Sequence, residues 1–255
     1  MTKGRSELSS RDDGRTLTLR IMRKKGPEDK GFWQDICFNV LDSEMTVASA
    51  LTAINAAVDT DCAYKDSEGR KVEFIRWESS CLQKKCGACA MVIDGRPCLA
   101  CDTKLEPFLA GKGVVTIEPL RKFPLVADLM VDRSKLQENL RVMKVWPNGD
   151  MTVSDKNNKV SYDSSLCIQC GCCLEVCPNF DFSSSFFGAA AFVPATREMV
   201  NSEPSDRKEM RKSYSKNIYN GCGKSLSCKD ICPRKIDTQS LLVRSNAVLL
   251  WGKRG

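Results

Sequence analysis

The sequence predicts an α+β chain in two parts. Residues 1–125 mix strands with helix, and residues 126–255 are mostly helical. Three observations predict this. Apolar and polar residues alternate along parts of the first half, the period of a half-buried strand. Apolar residues recur at helical spacing in the second half. The cysteines fall into three groups, at 81–101, 167–177 and 222–232, with Cys37 and Cys62 apart, so one group lies in the first half and two in the second.

The elements follow in order. Residues 16–22 (TLTLRIM) alternate as a strand does. Thr46 is placed to cap a helix over 47–58, with Val47, Leu51, Ile54 and Val58 on one face. Residues 74–77 and 90–93 read as strands. Asp94-Gly95 supplies a type I′ turn that returns the chain into 97–100. Residues 114–117 form another short strand, and the domain boundary falls at 120–127, between Pro119 and the apolar stripe that follows Pro124. That stripe, Leu129, Val131, Leu136, Leu140 and Met143, predicts a helix over 127–143. Residues 147–150 (PNGD) are a turn, and further helices are expected over 203–219 and 238–250. The Ser183-Ser184-Ser185 run is too short for a linker and reads as a cap or turn.

Composition excludes much. The chain has 255 residues, 15 of them Cys and none His. It therefore supplies no His general base, no Ser-His-Asp or Cys-His dyad, and no His ligand to zinc or haem. A Rieske centre, which needs two His, is also excluded. Any metal must be held mainly by thiolates, which suit iron–sulfur clusters or zinc. Hydrophobic content of 42% and charged content of 28% are those of a globular protein. Disulfide scaffolds are short secreted chains, and no secretory apolar segment follows Met1, so a reducing compartment is expected. No apolar run approaches the roughly 20 residues of a membrane span. The longest are 186–193 and 241–251, the latter broken by Arg244. The chain is expected to be soluble or peripheral.

The first group is Cys81-x4-Cys86-x2-Cys89 with Cys101 further on, the plant-type 2Fe–2S spacing. Gly87 lets the backbone approach closely between two ligands. Cys98 competes with Cys101 for the fourth place. Three residues apart on one strand, the two face opposite ways; Cys101 is favoured.

The second group, Cys167-x2-Cys170-x2-Cys173-x3-Cys177-Pro178, is the bacterial ferredoxin run. In two-cluster ferredoxins the fourth Cys of such a run serves the other cluster, so a partner run is required. The third group is that partner with one ligand missing: Cys222, Cys228 and Cys232-Pro233 fill the first, third and fourth places, and Ser225 stands at the second. Crossing the fourth ligands makes two sites. Cys167, Cys170, Cys173 and Cys232 suffice for 4Fe–4S. Cys177, Cys222 and Cys228 provide only three thiolates and are expected to hold 3Fe–4S; the alternative is that the Ser225 hydroxyl or water binds a fourth iron. Cys37, Cys62, Cys98 and Cys172 are left over and read as small buried hydrophobes.

The formal charge of +7 alone suggests nucleic acid or anionic lipid. Eleven ligating thiolates and oxidised cluster cores totalling about +5 bring the loaded chain to about +1. The basic excess thus largely neutralises the clusters, and the nucleic-acid reading loses most of its support.

This combination resembles the iron–sulfur subunit of succinate dehydrogenase and fumarate reductase, the complex II family. The resemblance is carried by residues 79–101 (SSCLQKKCGACAMVIDGRPCLAC), 117–132 (IEPLRKFPLVADLMVD), 167–179 (CIQCGCCLEVCPN) and 222–233 (CGKSLSCKDICP). It implies a plant-type 2Fe–2S ferredoxin (β-grasp) domain over 1–125 and a helical bacterial-ferredoxin-like domain over 126–255. It places the fourth 2Fe–2S ligand at the Cys of the LAC triplet, Cys101, and agrees with the crossed assignment. It implies electron transfer between an FAD-carrying flavoprotein partner, which interconverts succinate and fumarate in the tricarboxylic acid cycle and respiration, and a quinone-reactive cytochrome b membrane anchor. The chain itself then does no bond-making chemistry and sits peripherally on the cytoplasmic face of the cell membrane. Two departures stand out. Ubiquinone-using relatives carry Trp four residues after the first Cys-Pro and His after the first Cys of the last run; here these are Phe182 and Gly223. Phe donates no indole hydrogen bond and Gly relays no proton, which points to a menaquinone-type anchor with two haems. Three rival readings are a soluble ferredoxin-like carrier, an iron–sulfur subunit of another dehydrogenase (or of a fumarate reductase using a thiol donor), and a zinc-binding structural protein.

Overall fold

The computed structural model describes residues 15–146, 155–202 and 207–252. The first half is built on a five-stranded mixed sheet in the order β2-β1-β5-β3-β4. Its strands are β1 (Thr16–Arg23), β2 (Phe32–Asn39), β3 (Ala90–Ile93), β4 (Arg96–Leu99) and β5 (Val114–Glu118). β1 pairs antiparallel with β2 and parallel with β5, and β3 pairs antiparallel with both β5 and β4. The register puts Leu19 beside Ile36 and Val115, so the inward faces of three strands coincide. Helix α1 (Val47–Ala57) adds Val47, Leu51 and Ile54 to the same core. Each such buried Leu, Ile or Val contributes about 1.5–3 kcal/mol. Thr46 caps α1 as predicted: its hydroxyl accepts from Ser49 N at 3.2 Å, and Thr46 N donates back to Ser49 Oγ at 2.8 Å. Asp94 (φ 47°) and Gly95 (φ 77°) are both left-handed, as the type I′ hairpin between β3 and β4 requires. A short helix α2 (Glu106–Leu109) precedes β5.

The structure departs from expectation at four places here, three in this half and one just beyond it. β2 was not foreseen: its inward row of Gln34, Ile36 and Phe38 begins with a polar residue, while Phe32 and Trp33 are exposed. Residues 74–77 are not a strand, because side chains take their backbone groups. Asn55 bonds both Ile75 N and Ile75 O at 2.8 Å, and the Asp128 carboxylate accepts from Arg76 N at 3.0 Å. The predicted helix over 127–143 is split. Its first part is the hairpin of β6 (Leu125–Ala127) and β7 (Met130–Val131), turned at left-handed Asp128, and only α3 (Ser134–Val142) is helical. Leu129 and Val131 join the sheet's core, and the Asp128 carboxylate holds the turn by accepting from Arg23 Nε (3.1 Å) and Lys24 N (3.0 Å). Cys37 and Cys62 are exposed rather than buried: Cys37 lies on the outward row of β2 and Cys62 in the turn after α1.

The second half is helical: α4 (Asn158–Ser165), α5 (Cys172–Glu175), α6 (Ala189–Asn201), α7 (Arg207–Tyr214), α8 (Ser227–Asp230) and α9 (Thr238–Trp251). α7 continues as a π-turn over Ser215–Tyr219, and α9 is capped by Asp237, whose carboxylate accepts from Ser240 N at 3.2 Å. Helix α6 was missed because Pro194 sits inside it. Its apolar face packs with Tyr214, Ile218, Leu241 and Leu242 into a second core. The Ser183–Ser185 run is a turn in which Asp181 accepts from Ser183 N at 2.9 Å. The expected turn at 147–150 and the start of the helix at 203 lie outside the described residues.

Candidate functional site

The first cysteine group is a tightly curled loop. Leu82, Lys84 and Gly87 all take positive φ (52°, 59° and 76°), which turns successive N–H groups toward sulfur. Gln83 N and Lys85 N donate to Cys81 Sγ at 3.3 and 3.4 Å, and Lys84 N donates to Cys101 Sγ at 3.3 Å. These bonds stabilise thiolate. The Cys81 thiol is held at about 7, first by the Gln83 N–H and then by Cys86 and Lys85. Cys89 behaves oppositely: burial pushes it up to about 12, with the charges of Cys101 and Cys86 adding to the shift. Cys86 thus neighbours both Cys81 and Cys89, and Cys101 neighbours Cys89.

Cys98 is elsewhere. Its sulfur accepts from Thr103 Oγ1 at 3.3 Å. The two cysteines part because Cys101 lies in the 3-10 turn Ala100–Asp102 that ends β4, not on the strand. Lys84 and Asp102 pair at 2.5 Å across the loop mouth.

The second group surrounds a cavity of about 30 Å³ lined by Cys167, Cys170, Cys173 and Cys232 and also by Cys228 of the third group, with Ala189, Ala190, Val193 and Ile236 as apolar walls. Burial pushes Cys167 up to about 11, and the charges of Cys170 and Cys232 add to it. Cys173 is raised by burial and then, in decreasing order, by the charges of Cys170, Cys167, Cys228 and Cys232. Cys170 is instead held at about 7, first by a hydrogen bond from the Cys172 thiol. Cys172, the first residue of α5, is fully buried. The third group brings Cys177 and Cys222 beside Cys228, whose thiol is raised by burial and, more weakly, by those two sulfurs. Thr238 Oγ1 lies 3.4 Å from Cys228 Sγ. Ser225 is exposed, and its hydroxyl accepts from Ser227 at 3.2 Å. Among the described residues no three Cys, Asp or Glu side chains group as they would around one metal ion.

The two later groups share one local design. A left-handed residue, Gly171 (φ 88°) or Leu226 (φ 59°), precedes the short helix α5 or α8, and each helix leads to a Cys-Pro, at Cys177-Pro178 and Cys232-Pro233.

Sequence reasoning missed Gln169. Pro194 has no N–H for the Ala190 carbonyl four residues earlier. Gln169 Nε2 supplies the missing donor at 2.9 Å and also donates to Cys167 Sγ at 3.1 Å. A proline in an apolar helix one turn past a small-residue run was the available signal. Gly87 was foreseen for a close approach, but the partner is the second loop: a Cβ there would lie 2.7 Å from Ile168 O and 2.9 Å from Cys170 Cβ.

Residues 18–138 match the family described as the 2Fe–2S iron–sulfur cluster binding domain, and residues 163–236 match the 4Fe–4S dicluster domain. An Escherichia coli fumarate reductase iron–sulfur subunit is 31% identical over 171 residues, covering 64% of this chain and 68% of that protein. The chain belongs to the succinate dehydrogenase/fumarate reductase iron–sulfur subunit family. The Bacillus subtilis succinate dehydrogenase iron–sulfur subunit is 29% identical over 208 residues, 77% of this chain and 80% of that one. A chain of the Mycobacterium smegmatis Sdh1 complex in its apo form superposes with a TM-score of 0.73 at 26% identity, covering 91% of this chain and 95% of its own. In this family's terms the chain is α+β, a 2Fe–2S ferredoxin domain before a mostly helical 4Fe–4S domain. Among the described residues no helix is long and apolar enough to cross a membrane.

Proposed function

We propose that this chain is the electron-transfer subunit of a succinate:quinone oxidoreductase and contributes no bond-making residue of its own. Cys81, Cys86, Cys89 and Cys101 would hold 2Fe–2S; Cys167, Cys170, Cys173 and Cys232 would hold 4Fe–4S; Cys177, Cys222 and Cys228 would hold 3Fe–4S. The groups, when bound, supply one-electron redox chemistry. The donors present fit them: buried thiols crowded enough to raise one another's pKa, an apolar cavity lined by five of them, and N–H groups aimed at sulfur. Cationic iron relieves that crowding. The reading is supported by Cys232 lying near Cys167 and Cys173 and by Cys177 lying near Cys228, which itself borders Cys173 and the second cavity.

The partners are an FAD flavoprotein and a cytochrome b anchor that holds quinone and haem b, which puts the chain peripherally on the cytoplasmic face of the cell membrane. A groove of about 440 Å³ on α9 supports anchor docking there. Val243, Leu250 and Trp251 line it and are exposed, and Lys224 and Leu226 join it to the loop between Cys222 and Cys228. The anchor is the menaquinone-type, two-haem form. Phe182 packs edge-on against Phe123 at 6.2 Å, and exposed Gly223 abuts Asn179, so neither position offers an indole donor or an imidazole.

The test is gentle anaerobic purification from the native membrane. A stable complex with an FAD protein, with about nine irons per chain, is the expected result. A free, monomeric iron–sulfur chain would overturn the proposal in favour of a soluble carrier.

A further inference from the structure

Two arginines that the cluster reading does not use span the first and second cysteine loops. Arg133 lies between β7 and α3, with its side chain 14% exposed. Its Nη1 donates to Gly87 O at 2.9 Å and, more weakly, to Cys170 O at 3.4 Å. Its Nη2 donates to Ala88 O at 2.8 Å and pairs with the Glu78 carboxylate. Gly87 and Ala88 stand between Cys86 and Cys89, so one guanidinium reaches carbonyls of both loops. Arg234 follows Cys232-Pro233 directly and lines the second-site cavity. Its Nη1 makes a long contact of 3.5 Å to Lys84 O, and its Nε is buried with no partner. The backbones here touch as closely as they can, since Gly87 leaves no room for a Cβ against Ile168 and Cys170.

A guanidinium does not deprotonate in a protein, so its charge is constant at every working pH. Its planar fork suits it to bind several carbonyls at once, which a lysine cannot copy. Adding an electron makes a site more negative, and a buried cation beside it favours that state. In a medium of effective dielectric about 20, one such charge about 12 Å from the site changes the equilibrium about tenfold, which is ~59 mV for a one-electron couple.

We propose that Arg133 and Arg234 are positioning residues for electron transfer between the first and second sites: they clamp the two loops at a fixed gap, and their constant charges hold both reduction potentials up. The inference rests on the cluster assignment above. One electron, supplied by the reduced flavin of the partner, leaves the first site and enters the second; the first is oxidised and the second reduced, and no bond or proton moves.

The test is EPR-monitored redox titration of the full chain in its complex, comparing wild type with R133M, R133K, R234M and R96M, with iron content and spin-relaxation coupling between the two sites. R133M and R234M are expected to lower both potentials by about 59 mV, with iron content retained. R133K keeps the charge and hence the potential, but loosens the clamp and weakens the coupling. Arg96 also crosses between the halves, donating to Asp230 O at 3.2 Å, but is exposed; R96M is expected to leave the potentials unchanged. Unshifted potentials in R133M and R234M at full iron content overturn the proposal while the cluster reading stands. If R133M loses iron, R234M decides alone, and an unshifted R234M potential is again fatal. A wild-type chain without the two signals overturns the cluster reading instead.

Discussion

Gly87→Ala tests how tightly the two cysteine loops are pressed together. Gly87 has φ 76°, so any L side chain is strained there, at about 1–2 kcal/mol. The added methyl would also stand 2.7 Å from Ile168 O and 2.9 Å from Cys170 Cβ. Neither is the far end of a flexible side chain, so the loops themselves must part. Overpacking of this kind costs about 1–3 kcal/mol, and the two effects together come to about 2–5 kcal/mol. Gly95 is the internal control: its φ is 77° and nothing lies within 4 Å of where an added methyl would stand, so Gly95→Ala costs the strain alone, about 1–2 kcal/mol. At roughly 2–4 °C per kcal/mol for a chain of this size, Gly95→Ala lowers the melting midpoint by about 2–8 °C and Gly87→Ala by about 4–20 °C. The assay is a melt of the cluster-loaded chain at one scan rate, followed by far-UV circular dichroism. If the two substitutions lower the midpoint equally, the loops are not in the contact described, and the clamp loses its geometric basis.

Other predictions address the remaining sites. Cys101→Ala abolishes the 2Fe–2S visible spectrum while Cys98→Ala preserves it, because only Cys101 takes the Lys84 N–H and faces Cys89; the reverse outcome would reassign the fourth ligand. Ser225→Cys supplies a fourth thiolate to the third site, so the oxidised 3Fe–4S EPR signal disappears and iron rises from about nine to about ten per chain; an unchanged signal means that position 225 cannot reach the site. Burial raises the Asp66 carboxyl, but Gln34, Arg70 and the Glu68 N–H outweigh it and hold it at about 2. Since that is below its unfolded value of about 3.9, its stabilisation is complete above that pH and is lost only as pH falls toward 2. Asp66→Asn therefore destabilises equally at about pH 5 and about pH 8, read from guanidinium midpoints, and a cost that changes between them contradicts the assignment.

Cluster spacing was legible because it is local. Ligands three to five residues apart must lie in one loop, and a left-handed Gly or a following Pro marks that loop's turns. The capping of α1 by Thr46 and the hairpin at Asp94-Gly95 were legible for the same reason, since each is decided by neighbours within four residues. The failures all involve distant partners. Residues 74–77 look like a strand, but Asn55 and Asp128 take the backbone bonds that a neighbouring strand would have used. Leu129 and Val131 fit a helical stripe by spacing, yet Arg23 and Lys24 hold Asp128 in a turn. Pro194 argued against a helix until Gln169, from another loop, satisfied the carbonyl it leaves open.

The sequence by itself determined the inventory: which residue types bind, at what spacing, and that no imidazole takes part. Only the tertiary structure decided which loop touches which. The seating of Gly87 against Ile168 and Cys170, and the reach of Arg133 and Arg234 across the same seam, depend on residues 37 to 150 positions apart. Such contacts have no periodic signature, because they arise where segments distant in sequence are pressed together in one core and each buried polar group must find whatever partner that packing brings within reach.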